Sequence, residues 1–486
     1  MGQDLAGDQI DLWVVEAEAG GPGARLAARR AAIAAGRAGD SARALAALRL
    51  AARLDPLDPA PRLEAARVQA EAGDLAGAAA EAEGVLAGAV DEAARARAAF
   101  MLGELARVRG ENDAARGYYE TTLRIEDALL ARERSDVTAA RWYARAKGRV
   151  AELDAGARHF AKARAGAEAA LALLRACAAQ IGEPPVLAAD IADAEMRLGA
   201  LELDDARAAS ARRRFDEAIG RYEALAVTEP DEPHWRAVLS DVWALAAEAE
   251  MERGEEKLAR AAMDKALQAR MRLAVRYPDE SWALAGLWRT RAALLAALND
   301  AAGAADSLAQ ARALAEPLCA KGGDAAQRFF LHTLLDQADH ALRTGALAFA
   351  RDCADAARKR AEHLARGAPI WFGEAGACWD RLGETARLAQ AHDKALEAFT
   401  RAAEFRRMAC EHAPQNQRAI RALSAALLKL GDAGLAGGAP QTARAALAES
   451  VRLRLALAEA AGEDPLPALA LAPALERLGF AALACG

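Results

Sequence analysis

The sequence predicts an all-α fold, a solenoid of about ten antiparallel helix pairs, and three observations lead to it. The first is composition. The 486 residues are dense in Ala, Leu, Arg and Glu, the strong helix formers, while aromatics make up 5 %. The second is a pattern. Trp379, Leu382, Gly383, Ala395, Phe399 and Ala402 stand at offsets 0, 3, 4, 16, 20 and 23. The small residues let two antiparallel helices approach closely, and the large ones fill the space beside the crossing. The third is repetition of these marks along the chain. One helix pair cannot bury its own apolar face, so such pairs must stack. Stacking also explains how 486 residues avoid the size limit of one globular core.

Residues 1–23 read as an N-terminal tail or cap. Asp11–Glu18 predicts a short helix around Trp13, Val14 and Val15, broken by Gly20-Gly21-Pro22-Gly23. Residues 24–130 carry a short period. Gly39-Asp40 marks a tight turn, Ala44 and Ala51 follow, and Pro56 closes the unit. Gly73-Asp74 repeats the turn 34 residues later, with Ala78 in the place of Ala44. Leu102-Gly103, Gly110, Ala115 and Tyr119 continue in phase. Residues 131–464 carry a longer period. Ala163, Ala167 and Ala170 predict a close pair that stops at Gly182–Pro185, and Leu198-Gly199 opens the next, with Phe215, Ala218, Tyr222 and Pro230. Trp235 and Trp282 lie 47 residues apart, and Leu382-Gly383, Leu430-Gly431 and Leu478-Gly479 recur every 48. The second helix of these units has therefore lengthened by several turns. Residues 291–345 lack the Leu-Gly pair, which leaves their boundaries open. Residues 465–486 form an apolar C-terminal capping helix, with Leu469, Leu475, Leu478, Phe480 and Leu483.

Over roughly residues 24–485 these marks resemble the tetratricopeptide-repeat superfamily, and the later units look like its longer bacterial variety. The resemblance implies a right-handed α–α superhelix whose first helices line a concave groove. It implies groove positions two before, two after and five after the Leu of Leu-Gly. Carried over, these and nearby positions give Met196 and Asp193 near Leu198, Asp241 and Glu248 near Trp243, and His332 and Asp339 in the next phased region. They give Asp380 and Glu384 around Leu382, and Leu428 and Asp432 around Leu430. Most are acidic. The family's carboxylate clamp uses Lys and Asn at such places, so a C-terminal-peptide adaptor is not expected. Either the groove prefers a basic or amphipathic segment, or the acids merely keep helices soluble.

The net charge of −7 is mixed along the chain, which argues against a general nucleic-acid binder. No phosphate loop, zincin, nucleophile-elbow or dinucleotide motif is present. His332, Asp336, Asp339 and His340 fall at i, i+4, i+7 and i+8 of one predicted helix, on one face. That face suits either a divalent transition metal or solvent. The tryptophans suit core packing or ligand cages, with Trp371-Phe372 expected to be the most exposed pair. The six cysteines form no C-x-x-C pair, as expected of thiols in a reducing cytoplasm. No signal-peptide pattern opens the chain, and no apolar run reaches bilayer length. The expectation is a cytoplasmic, non-enzymatic protein-interaction scaffold without cofactor, contacting a protein or peptide and neither nucleic acid nor membrane. Its terminal helix offers a surface for self-association. A sensor that closes around a peptide or small molecule is the alternative, and a metal-dependent activity at His332–His340 a third.

Overall fold

The computed structural model describes every residue except 1, 22, 38–39, 89–90, 321, 415, 461–468 and 486, and omits the side chains of 2–9, 36–37 and 460. Pro22, Gly39 and the start of the apolar C-terminal stretch, including Pro465 and Leu466, therefore lie outside the described residues. The described elements are helical throughout. They are α1 (Gly2–Ala19), α2 (Ala24–Arg37), α3 (Ser41–Leu54), α4 (Ala60–Glu71), α5 (Leu75–Gly88), α6 (Glu92–Val108) and α7 (Asn112–Arg132). There follow α8 (Val137–Gly156), α9 (Phe160–Ile181), α10 (Pro185–Asp204), α11 (Ala208–Thr228), α12 (Pro233–Glu252), α13 (Glu256–Arg276), α14 (Ser281–Ala297) and α15 (Ala301–Ala320). The last are α16 (Asp324–Thr344), α17 (Leu347–Gly367), α18 (Phe372–Leu388), α19 (His392–His412), α20 (Gln417–Ala436), α21 (Pro440–Ala460) and α22 (Ala472–Ala484). They form two compact units, residues 1–262 and 263–486, and the division falls inside α13.

One packing device recurs within both units. A small residue on the first helix of a pair faces the residue 16 positions later on the second. At Gly103, Gly199, Gly383 and Gly431 an added Cβ would come within 2.4–2.6 Å of Tyr119, Phe215, Phe399 and Leu447 respectively. Where the second helix carries a smaller residue or another Leu, alanine replaces the glycine. Ala32 with Leu48, Ala66 with Ala82, Ala151 with Ala167, and Ala338 with Ala354 share apolar clusters at the same spacing. Ala292 and Leu308, also 16 apart, are both buried. The summed side-chain volume at each crossing is limited by how closely the two backbones approach.

The turn inside each pair is equally regular. Seven residues after the small residue the backbone is left-handed: at Gly73, Gly110, Gly254, Gly345 and Gly438, and at Arg158, Ala206, Asn299 and Gln390. The following amide donates to the carbonyl five residues back, as from Asp74 to Gln69, Glu111 to Ala106, Asp300 to Leu295 and Ala439 to Gly434. This satisfies a carbonyl that the helix end would leave open. Asn299 and Gly345 therefore set the phase across 291–345, where the Leu-Gly mark is missing.

The lengthening starts earlier than residue 131. Helices α3 and α5 have 14 residues each, whereas α7 already has 21. First helices lengthen too, from 12 residues in α4 to 20 in α8. At the N-terminus α1 is 18 residues long, more than the short helix expected, and packs Ile10 and Ala17 against α2 and α3. At the other end α22 packs Ala481, with Leu478 beside it, on Ala443 and Leu447 of α21. It leaves Leu475, Phe480 and Leu483 exposed.

Burial also traps a titratable group. Glu126 of α7 is 1 % exposed, and neither carboxylate oxygen has a hydrogen-bond partner. Burial pushes its carboxyl up to about 7, against the attraction of Arg97. The folded state thus holds this proton more tightly than the unfolded chain, where the ordinary value is 4.5. The contribution to stability is full below that value and lost as pH rises through about 7. Glu126→Gln is expected to match the parent near pH 4 and to exceed it at pH 8 by about 1–3 kcal/mol, at ~1.4 kcal/mol per pKa unit. Urea unfolding at both pH values checks this; a difference that does not grow with pH contradicts it.

Candidate partner-binding site

In each unit the first helices of successive pairs touch: α4 with α6, α6 with α8, α8 with α10, and α10 with α12 in one, α16 with α18, α18 with α20, and α20 with α22 in the other. From α5 onward successive second helices make no comparable contact among the described residues. The first helices therefore form a continuous face in each unit, and the acids singled out in the sequence sit on them.

Three of these acids are engaged by the neighbouring repeat. Asp339 of α16 accepts two hydrogen bonds from Arg381 of α18, at 3.0 and 2.9 Å. Glu384 of α18 pairs with Lys429 of α20 at 3.2 Å, and Asp432 of α20 with Arg477 of α22 at 2.6 Å. Burial works against ionisation of Glu384, but Arg387 and Lys429 hold its carboxyl below the ordinary value. In the other unit, Arg149 of α8 pairs with Glu104 of α6 at 2.7 Å. Arg197 of α10 pairs with Glu152 of α8 and, at 2.9 Å, with Asp193 on its own helix. The result is a ladder of ion pairs joining one first helix to the next. Partly exposed pairs of this kind add little stability each and fix relative helix position.

Asp380 departs from its expected place. It is buried and turns toward its own partner helix, where Arg406 of α19 donates to it. Gly376 lies over that contact; a Cβ there would meet Arg406 Cγ at 2.8 Å. Asp380 is therefore inside the helix pair rather than on the open face. Asp241 is exposed on α12, and Leu428 of α20 is half-buried beside Leu447.

The His332–His340 cluster does not converge. Asp336 accepts from Arg289 of α14 at 2.6 Å, while Asp339 is held by Arg381 on the other side. His340 is buried, and burial lowers the pKa of both His340 and His332. Among the described residues no three His, Cys, Asp or Glu side chains come together as a metal would need. Trp371, expected to be partly exposed, is buried in the core of its unit, with the Arg328 guanidinium 5.3 Å from its ring centroid. Its short 3-10 turn, Pro369–Trp371, folds the ring inward. The cysteines are free: four are buried and two half-buried. Among the described residues no helix is long and apolar enough to cross a membrane.

Two clefts open on the first-helix faces. In residues 1–262 a cleft of about 640 Å³ lies among α8, α10 and α12, over Met196, Leu201 and Leu245. In residues 263–486 one of about 510 Å³ lies between α14 and α16, lined by Arg289, Asp336, Asp339 and Arg343. The first was signalled in the sequence by Met196, and Leu245 stands two after Trp243, at a groove position of that unit; Asp204, at the end of α10, falls at none of those positions.

The glycine-to-aromatic crossing, the left-handed residue seven positions on and the stacked first helices together settle the architecture. The fold is a tetratricopeptide-like all-α solenoid. No family model matches the chain, and no curated protein does. Solved structures resemble it at low identity. BtubC from P. vanneervenii is 17 % identical, with 52 % of this chain and 92 % of that one covered and a TM-score of 0.42. The apo form of RapI is 10 % identical, covering 82 % and 98 %, with a TM-score of 0.49. A tetratricopeptide repeat protein from Parabacteroides merdae is 16 % identical, covering 64 % and 98 %, with a TM-score of 0.36.

Proposed function

We propose that the chain is a non-enzymatic scaffold that holds a protein segment against the first-helix faces of its units. The observation that carries this reading is the placement of both clefts on those faces, with mixed apolar and charged linings. Protein segments are recognised by such linings, apolar floor for affinity and charge for selection. The ladder of ion pairs refines the charge expectation. Asp339, Glu384 and Asp432 are occupied by Arg or Lys of the next repeat, so an amphipathic segment fits better than a purely basic one.

The test uses a photoreactive residue placed on the full chain in lysate of its source cells. At Met196 or Leu428, on first helices, it is expected to capture a protein. At Glu120 or Glu397, exposed on the second helices α7 and α19, it is expected to capture none. Equal capture from all four positions, or none from any, overturns the scaffold reading. A thermal shift with a metabolite pool and no captured protein would instead favour the sensor.

A further inference from the structure

First helices receive their second helices through three positions: four before the small residue, the small residue itself and three after it. These are Ala99, Gly103 and Ala106 on α6, Leu334, Ala338 and Ala341 on α16, and Leu427, Gly431 and Gly434 on α20, and all are buried. On α20 the cover is α21, with Leu447 over Gly431 and Ala443 over Gly434. The equivalent positions on α22 are Leu475, Gly479 and Ala482. There all three are exposed, and nothing lies within 4 Å of a Cβ added at Gly479. The opposite side of α22 is taken up by its own unit: Ala474 and Ala481 are buried, and Arg477 pairs with Asp432. Among the described residues no helix covers the open side.

What fits the open side follows from its symmetry. Gly479 is at the centre, and Leu475 and Leu483 lie four residues to either side, 49 % and 80 % exposed. A second α22 laid antiparallel across the first, the two Gly479 in register, sets Leu475 of each copy against Leu483 of the other. The glycines let the backbones approach and the leucines fill the space beside the crossing, as helix pairs do inside the chain. Phe480, 57 % exposed, flanks the contact. The charges permit the same arrangement, since Glu476 is the one exposed charge on α22. The two Glu476 fall on opposite sides of the crossing, six residues or about 9 Å apart along the axis, and do not face each other. Covering Leu475, Phe480, Leu483 and the small residues between them removes on the order of 500 Å² per copy, or about 1,000 Å² for a pair, the lower bound of a specific interface.

We propose that a second copy of this chain covers α22, in a two-fold antiparallel α22–α22 dimer centred on Gly479. The contact is isologous, so it closes at two copies instead of growing into a fibre. Removal of the leucines and Phe480 from water drives it, and its small area keeps it reversible. The dimer joins two solenoids and so doubles the first-helix faces in one particle, which strengthens binding to any partner with two linked segments. The proposal is independent of what those faces hold, and either can fail without the other.

Analytical ultracentrifugation of the full chain over ~1–200 μM is expected to show monomer passing to dimer, as suits an interface of this size. Leu475→Glu with Leu483→Glu should hold it monomeric, because the new carboxylates would meet across the crossing. Val227→Glu with Val275→Glu, at apolar positions 79 % and 88 % exposed on α11 and α13, should leave the dimer unchanged. All four side chains are exposed, so each variant should fold, and helical circular dichroism checks that it does. Cross-linking then reads the geometry, with Cys485→Ser as the parent. Gly479→Cys should oxidise to a linked dimer by itself, because a disulfide needs Cα atoms within ~7 Å and only the residue on the two-fold axis meets its own copy. Leu475→Cys alone should not, yet mixed with the Leu483→Cys chain it should. A chain that stays monomeric at ~200 μM overturns the proposal, whatever else is found bound to α22. So does a dimer that both Glu pairs weaken equally or that neither weakens, or one that Leu475→Cys alone links as fast as the mixture.

Discussion

Replacing Gly383 by alanine is expected to destabilise residues 263–486 by about 1–3 kcal/mol, the usual cost of forcing one carbon into a filled core. The new Cβ would lie 2.5 Å from Phe399 Cε1, 2.7 Å from Cδ1 and 2.8 Å from Cζ. Phe399 is fully buried among Leu423, Leu427 and Leu430, so its ring has nowhere to retreat. Helix propensity points the other way, since alanine is favoured over glycine by about 1 kcal/mol in a helix interior. The sign of the result therefore decides between close packing and propensity. Gly117→Ala on α7 is the control: nothing lies within 4 Å of its added Cβ, and a gain is expected there. Adding Phe399→Leu to Gly383→Ala should recover part of the loss, because Ala292 and Leu308 already occupy the equivalent positions elsewhere. Repeat proteins unfold through neighbouring units, so the effect is read as hydrogen exchange of α18 and α19 as well as in the urea transition. A Gly383→Ala protein as stable as the parent would remove the crossing device from the account.

The second large effect belongs to Asp380. Asp380→Asn is expected to cost about 3–5 kcal/mol, because it leaves the Arg406 guanidinium buried without its counter-charge. Both side chains are nearly inaccessible, at 5 % for Asp380 and 13 % for Arg406. Replacing the pair together, Asp380→Leu with Arg406→Met, should return most of the loss, since two apolar groups leave no charge to solvate. The same measurement assigns the role of Asp380. A loss of stability with photocapture at Leu428, on the next first helix, retained fits a residue inside the helix pair. A stable Asp380→Asn protein that loses its partner would put Asp380 back on the open face.

How much was legible beforehand depends on the range of the interaction concerned. Gly383 and Phe399, or Gly431 and Leu447, are 16 residues apart, and helix geometry alone brings them together. The pairing of helices could therefore be read from spacing. Across 291–345 the marks were there in another form: Asn299 and Gly345 hold the left-handed turn, and Ala292 and Ala338 take the small-residue position. A search for Leu-Gly passes over them, because only the backbone conformation and the joint volume are constrained, not the residue name. The candidate site was less legible. Acidic residues at groove positions suggested free negative charge, yet Asp339, Glu384 and Asp432 meet bases 42–45 residues away. Charge counted along one helix does not reveal the helix that will stand beside it.

The sequence by itself determined that the chain is a stack of helix pairs, because the constraints on a pair are local: 16 residues across a crossing, seven to the turn, and too little apolar surface in one pair to stand alone. The tertiary structure decided which charges remain available. It turned Asp380 inward to Arg406, matched acids of α16, α18 and α20 to the bases of their neighbours, and opened a cleft over Met196, Leu201 and Leu245 among α8, α10 and α12. Those outcomes depend on the distance and rotation between successive repeats. Both are set by the sum of many small packing contacts at each interface, which no single spacing in the chain records.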